Sequence, residues 1–483
     1  MGWQSPVVYP DVVNAEEYMH LSRRASENDG AVSLYTDEYI ANYRRNNYLD
    51  PDAYPIIDWQ DQLMTGNGFT HNHTLSMSAG SERIRVMTSL GYLDQNGIIK
   101  NANFKRYNLR NNMDIRMNDR LNFRLDIAAT YSRRAANPYQ SSVFGFMNSK
   151  DPLMLAQWSD GSYAPFTGGT VNPLPMIEQG VGGNNIRQNG VLKASAALEY
   201  KPVQWLTLEV KAAPQLTAVK THRFVDLVEY HSDPYGTVSK TSNAEYNSLD
   251  ETVTAAWNGY YHATAAATRQ FGGHSFKLLV GASYEEYDYY SLGAYRQEFA
   301  YPDYEVISAG GDNEFKDNSG SRTQMALGSF FGRINYNFKE RYLFEANLRY
   351  DGSSRFVRKN RWSAFPSFSA AWRVTEEPFM AAARKTLSEF KIRASYGTLG
   401  NQNINSYYPA SQLLTISSIS AANKIYPIVA QNSLANEDIT WETTYMTDIG
   451  FDATLWNRLS ITADYYHKKT DGILMQLDIP SSI

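Results

Sequence analysis

Strict alternation of apolar and polar residues, sustained over runs of about ten residues, constrains this chain more than any other feature. From Tyr107, the residues Leu109, Met113, Ile115 and Met117 form an apolar row that Asn111 interrupts once, and Asn108, Arg110, Asn112, Asp114 and Arg116 stand between them. After Asn118-Asp119-Arg120, the residues Leu121, Phe123, Leu125, Ile127, Ala129 and Tyr131 alternate with Asn122, Arg124, Asp126, Ala128 and Thr130. A period of two puts successive side chains on opposite faces of a strand. Each segment therefore has one greasy face and one face carrying Arg and Asp in mid-strand. A soluble sandwich would bury the greasy face under a second sheet. A membrane barrel turns it to lipid and keeps the charges in a wet lumen.

The unit recurs. Leu192, Ala194, Ala196, Leu198 and Tyr200 face away from Lys193, Ser195 and Glu199; Leu206, Leu208 and Val210 face away from Thr207, Glu209 and Lys211. Phe330, Ile334, Tyr336 and Phe338 lead through Lys339-Glu340-Arg341 into Tyr342, Phe344, Ala346, Leu348 and Tyr350. Ile449, Phe451, Ala453 and Leu455 lead through Asn457-Arg458 into Leu459, Ile461, Ala463 and Tyr465. The pattern predicts about fourteen strands, with ends good to a few residues. They lie at 70–80, 84–93, 104–117, 121–131, 190–200, 205–212, 256–270, 275–290, 324–338, 341–350, 362–373, 389–397, 441–455 and 459–470.

The connections alternate in length. Short ones fall at 80–83, 118–120, 201–204, 272–274, 339–341 and 457–458; long ones at 132–189, 213–255, 291–323 and 398–440. Tight turns on one side and long loops on the other are the asymmetry of an outer-membrane barrel. Trp205, Phe338, Tyr342 and Trp456 sit beside the turns, where an interfacial aromatic girdle belongs. The expectation is an all-β fold: an antiparallel transmembrane β-barrel, incomplete, over residues 70–483, with long extracellular loops. Residues 1–69 read differently, as a partial first strand within 1–8 and helical loop material. There Asn14 followed by Glu17 has the spacing of a capping box.

Composition narrows the function. The chain has 35 Tyr, 21 Phe and 9 Trp, and rings with a polar tip suit a lipid–water boundary. Its net charge of −5 leaves no basic surface for nucleic acid. Cysteine is absent, which removes disulfides and thiolate metal sites. No apolar run reaches the ~20 residues of a membrane helix. Met1-Gly2-Trp3-Gln4 does not read as a secretory signal, which leaves a cytosolic protein or a missing true N-terminus, and the strand pattern favours the second.

Several motifs suggest chemistry and then withhold it. His71 and His73 share a strand face, yet a metal needs three or four placed ligands and no third is evident. Asp312, Asn313, Glu314 and Asp317 could supply oxygen ligands to calcium, but their spacing misses the EF-hand pattern and fits a solvated loop. Asp351-Gly352-Ser353-Ser354-Arg355 lacks P-loop spacing. There is no HExxH, no GxSxG and no evident carboxylate pair in a shared cleft, so neither an enzyme nor a cofactor is expected. Arg110, Asp114, Arg116, Arg124 and Asp126 should face the lumen. The candidate ligand contacts are aromatics of the long loops, Trp158, Tyr163 and Phe166 in one and Tyr235 in the next, because flat rings stack on sugars and on peptide side chains.

Six segments also resemble the SusC/RagA family of TonB-linked outer-membrane transporters. They are Tyr54-Pro55 with Asp58-Trp59-Gln60-Asp61; Leu75 to Glu82; Gly91 to Lys100 continuing to Phe104-Lys105-Arg106-Tyr107; Arg349 to Phe356; Ser395 to Gln402; and Asn436 to Glu442. Their order covers nearly the whole chain. The resemblance implies a barrel of about 22 strands around a plug, of which the plug and the last strands lie outside this chain. It implies the bacterial outer membrane, with lipid around the wall. It also implies that a SusD-like surface lipoprotein captures an oligosaccharide or peptide and that the TonB complex acts through the plug. A passive porin is the alternative, and a soluble all-β carbohydrate-active protein a more distant one.

Overall fold

The computed structural model describes residues 1–475 except 9, 166–171, 179, 240–242, 405, 422–423 and 432–434. After a short strand β1 (Gly2–Gln4) come helices α1 (Ala15–Asn28), α2 (Asp37–Leu49) and α3 (Trp59–Leu63). The capping box forms: Asn14 Oδ1 accepts from the Glu16 and Glu17 amides, and Glu17 accepts from the Asn14 amide, each at 3.0 Å.

The wall follows as β2 (Gly68–Gly80), β3 (Ile84–Asn96), β4 (Asn103–Arg116), β5 (Leu121–Ala136), β6 (Gly183–Val203), β7 (Leu206–Ala212), β8 (Gln215–Val225), β9 (Ser248–Phe271), β10 (His274–Gln297), β11 (Asp317–Phe338), β12 (Tyr342–Ser353), β13 (Trp362–Arg373) and β14 (Leu387–Asn401). A separate hairpin, β15 (Leu414–Ala421) and β16 (Lys424–Gln431), precedes β17 (Glu442–Leu455) and β18 (Leu459–Asp471). All but the hairpin pair antiparallel in one 16-stranded sheet, each strand beside its sequence neighbour; β7 and β8 both fill the place between β6 and β9. All fourteen expected strands are present.

The greasy row of each strand lies on the sheet surface without protein cover. Leu75 is 68% exposed and Met77 65%, and Leu90, Leu109, Leu192, Leu278, Ile334 and Leu348 share that face. This is the arrangement of a lipid-facing wall and the opposite of a sandwich. Aromatic rows border it. Phe338, Tyr342 and Trp372 are cross-strand neighbours beside the short turns, with ring centroids 6.3 and 6.4 Å apart. Tyr350 packs on Trp362 at 5.0 Å near the other end. Tyr350 stands eight positions after Tyr342 on β12, about 26 Å of strand or roughly 20 Å of height at a barrel's usual tilt, close to the height of a lipid-facing apolar band.

The turns fit their residues. Gly272 and Gly273 join β9 to β10 at φ +54° and +84°, a left-handed pair that glycine adopts without a Cβ clash. Lys339-Glu340 and Trp456-Asn457 take the same left-handed conformation. The connection between β13 and β14, 374–386, is the long one on the short-turn side. Glu377 is buried there and accepts from Tyr342 Oη at 2.6 Å, Trp372 Nε1 at 3.1 Å and Arg341 Nη1 at 3.2 Å, clamping this connection to the girdle.

The long loops are shorter than expected. The connections run 137–182, 226–247, 298–316 and 402–441, because strands continue into ranges assigned to loop. β8 falls wholly within one such range, and the hairpin β15–β16 within another. The apolar row stops where lipid stops, but the backbone ladder does not. Beyond the level of Tyr350 and Trp362, the outward positions of β8–β11 carry Lys220, His222, Glu251, Asp288 and Arg322. Alternation by polarity therefore fades while the strands continue.

Candidate functional site in the lumen and under the loops

The inner face of the wall carries its charged and most of its polar side chains, with apolar residues such as Leu93, Phe104 and Val191 among them. Near the short turns, Arg124 pairs with Glu209, which also accepts from His262 at 3.0 Å. Asn112 donates to Asp126, and Arg116 meets Asp119 at 2.9 Å. On the later strands, Lys391 meets Asp452 at 2.9 Å and Arg393 meets Asp464 at 2.6 Å. The lumenal charges expected at Arg110, Asp114, Arg124 and Asp126 lie on this face by their register.

Over the long-loop end sits a packed cap. Trp59, Leu63, Met64, Ile99, Val143, Met147, Ala156, Leu174 and Ile177 form one buried cluster, so α3 is sealed against the 137–182 loop. Trp59 Nε1 donates to the Asp151 carbonyl at 3.0 Å. A second cluster, Met19, Ile40 and Tyr43, joins α1 to α2. Tyr43 Oη donates to the Pro55 carbonyl at 3.0 Å, and Tyr230 Oη to that of Asn172 at 2.9 Å. Burial pushes both phenols up, so each stays a neutral donor.

The expected ligand aromatics are divided among different roles. Trp158 donates through Nε1 to the His231 carbonyl at 2.6 Å, tying the first long loop to the second. Tyr163 packs against the first cap cluster and donates to Glu178. Phe166 lies outside the described residues. Tyr235 is 93% exposed, in the turn where Asp233 accepts from its amide at 2.8 Å. Of the three described, Trp158 and Tyr163 are thus engaged in loop packing, and Tyr235 stands exposed.

His71 and His73 stack edge to face at 5.2 Å, and His71 faces Asp94 at 3.9 Å. Asp312 is held by Lys316 at 2.6 Å, which keeps its carboxyl below the usual range. Among the described residues no three His, Cys, Asp or Glu side chains gather to hold a metal. A concavity of about 1160 Å³ lies on the greasy face around Leu75, Leu90, Leu109, Leu192 and Leu216. It is a furrow of the lipid belt and carries no chemistry. A smaller recess of about 470 Å³ opens on the lumenal face among Arg187, Thr221, Thr254, Asn258, Tyr287 and Tyr289. Sequence reasoning missed it, because its residues come from four strands.

Five of the six segments that carry the family resemblance meet in space, in two groups. Phe356, Phe365 and Trp441 form a buried knot with ring centroids at 5.4 Å. Gly400 lies against it, where a Cβ would come within 2.1 Å of the Phe365 ring. Arg355, also buried, donates to the Ile404 carbonyl at 2.9 Å. Residues 54–61 and 91–100 meet likewise in the first cap cluster through Trp59 and Ile99.

Residues 17–483 match the family described as TonB dependent receptor-like, beta-barrel. The chain is similar to TonB-dependent receptor P26 of Formosa agariphila, 30% identical over 455 residues that make up 89% of this chain and 42% of that protein. It is similar to TonB-dependent receptor SusC of Bacteroides thetaiotaomicron, 26% identical over 441 residues, 88% and 43% of the two. It thus spans less than half the length of these relatives. Its fold is that of the RagAB peptide transporter structure, with a TM-score of 0.77 and 20% identity over 99% of this chain and 55% of that one.

Proposed function

The chain belongs to the TonB-dependent receptor β-barrel family, whose place is the bacterial outer membrane, and on that premise we propose that it walls an importer of oligosaccharides or peptides. The family consists of receptors and transporters and not of enzymes. In this reading a SusD-like lipoprotein delivers the nutrient to the loop end, and the TonB complex drives its release inward. Relatives named SusC and a fold shared with a peptide transporter support that assembly.

The observation that carries the reading is the inversion of the wall. A greasy, girdled outer face backs onto a lumen lined with Arg, Asp, Asn, Thr and Tyr, which is a path for a hydrated solute. Tyr235, with its ring free at a loop tip, is the outer aromatic we assign to ligand contact. Trp158 and Tyr163 hold the loops around it.

Deleting the whole gene and measuring growth on single glycans and peptides tests this. Growth should fail on at least one substrate, and restoring the gene should not rescue a strain lacking TonB. Unchanged growth on every substrate would sink the importer. Rescue without TonB would indicate the passive porin instead.

A further inference from the structure

The lumenal face of the upper wall has an unusual charge distribution. Four adjacent cross-strand rows can be followed through nine strands, from β2 to β11 with β8 in the place of β7. One runs Thr70, Gln95, Phe104, Arg134, Arg187, Thr221, Thr252, Gly293, Ser319. The next three pass through Arg106, through Asn108 and through Arg110 with Lys193. The band covers about 38 Å around the wall and about 20 Å along it.

It contains five cations and no carboxylate. With 50 acidic residues in 483, a stretch of this size would hold roughly four by composition alone. Carboxylates resume at its borders, with Asp126 below and Asp250 above. Among the described residues, none of Arg106, Arg110, Arg134, Arg187 and Lys193 forms an ion pair; elsewhere on the inner face Arg124, Arg349, Lys391 and Arg393 do, while Lys211, Lys277 and Arg333 do not. Arg106 Nε is buried without a partner. Arg134 and Arg187 stand directly opposite each other, a pairing of like charges that costs stability. Such a field attracts an anion and is relieved by one.

The neighbours of these cations specify the kind of anion. The recess beside Arg187 offers Thr221, Thr254, Asn258, Tyr287 and Tyr289. Among the described residues these side chains have no hydrogen-bond partner, so their donors and acceptors are free. Tyr289, Tyr287 and Tyr407 stack nearly parallel at 6.4 and 5.9 Å, and the Arg355 guanidinium closes the stack 4.6 Å from Tyr407. Hydroxyls that both donate and accept, beside flat rings, match the hydroxyl-rich edges and C–H faces of sugar rings.

We propose that this band binds an anionic oligosaccharide, with uronate carboxylates or sulfate esters on Arg106, Arg134 and Arg187 and a sugar ring on Tyr289. Guanidinium groups suit both anions, since each takes paired N–H donors. The proposal rests on the importer reading and names its substrate class.

The test is calorimetric titration of the detergent-purified full-length protein with oligogalacturonate, carrageenan oligosaccharide, maltoheptaose and oligoglutamate. At least one anionic sugar should bind tenfold or more tightly than maltoheptaose, and rising salt should weaken it. Arg134→Gln with Arg187→Gln should lower that affinity at least tenfold, while the paired Arg→Lys variant, which keeps the charge but loses the paired donors, should fall between the two. Heat-dependent gel mobility reports that each variant is folded, and the salt dependence of the unmodified protein gives a reading that needs no variant. Equal binding of maltoheptaose, indifference to both arginines, or no binding of either anionic sugar would overturn the proposal. Tighter binding of oligoglutamate would overturn it in favour of an acidic peptide. TonB-dependent uptake that ignores these charges would leave the importer standing and remove only this inference.

Discussion

The cap and the wall use the same apolar residues in opposite ways. In the cap, Leu63 is fully buried, with Trp59, Val143 and Ile177 around it. In the wall, Leu75 and Met77 face outward and Arg, Asp and Thr face in. The cap obeys the rule for water: apolar area leaves solvent and the cluster gains from it. The wall obeys the rule for lipid: every backbone group is paired along the ladder, and the greasy face stays with the solvent it prefers. Burial is therefore a statement about the local solvent, and one chain can hold both conventions a few residues apart.

The largest effect we expect comes from removing a cap anchor. Trp59→Ala deletes a buried indole and its bond to Asp151, at a cost of about 3–5 kcal/mol to the cap. Limited proteolysis should then cut within 137–182 while gel mobility shows an intact barrel. Simultaneous loss of both would break the separation between the regions.

On the wall, Ile334→Arg places a charge amid the greasy belt and should cost about 2–4 kcal/mol in a bilayer. Asn335→Arg, one residue along and facing the lumen beside Glu345, should be tolerated. Equal penalties in urea titrations from vesicles would mean that the two faces do not differ.

The clamp at Glu377 joins wall to turn. The hydrogen bond from Tyr342 holds its carboxyl below the usual range, with Trp372 and Arg341 acting the same way. A depressed carboxylate stabilises above its ordinary pKa and loses that contribution as pH falls through its folded value. Protection against hydrogen exchange over 374–386, taken relative to the intrinsic rate at each pH, should therefore hold to acidity below the ordinary carboxylate range and then fall. Glu377→Gln should abolish that acid step.

The smallest effect on folding belongs to Tyr235→Ala, within about 0.5 kcal/mol because the ring is solvated. It should instead weaken substrate capture in whole cells. A substantial loss of cap stability would show that Tyr235 belongs to the packing.

Much of the wall was legible in the residues. Two-residue alternation located fourteen strands and their faces, and turn chemistry located the tight end. It failed at β8 and at the extensions of β9 to β11, because outward residues there meet water and the polarity signal goes flat. The candidate site was legible only in part. The lumenal charges were placed on the correct face, but the loop aromatics were singled out by type, and type does not say whether a ring packs, as Tyr163 does, or stays free, as Tyr235 does.

Local chemistry alone determined which way each strand residue points, since the pleat makes orientation a matter of parity along one segment. Which strands lie side by side, and at what register, was decided only in three dimensions. Arg134 meets Arg187 across a long loop, and Tyr287 meets Tyr407 across four intervening strands. Those meetings depend on the hydrogen-bond ladder locking distant segments together, a long-range constraint that no short window of residues contains.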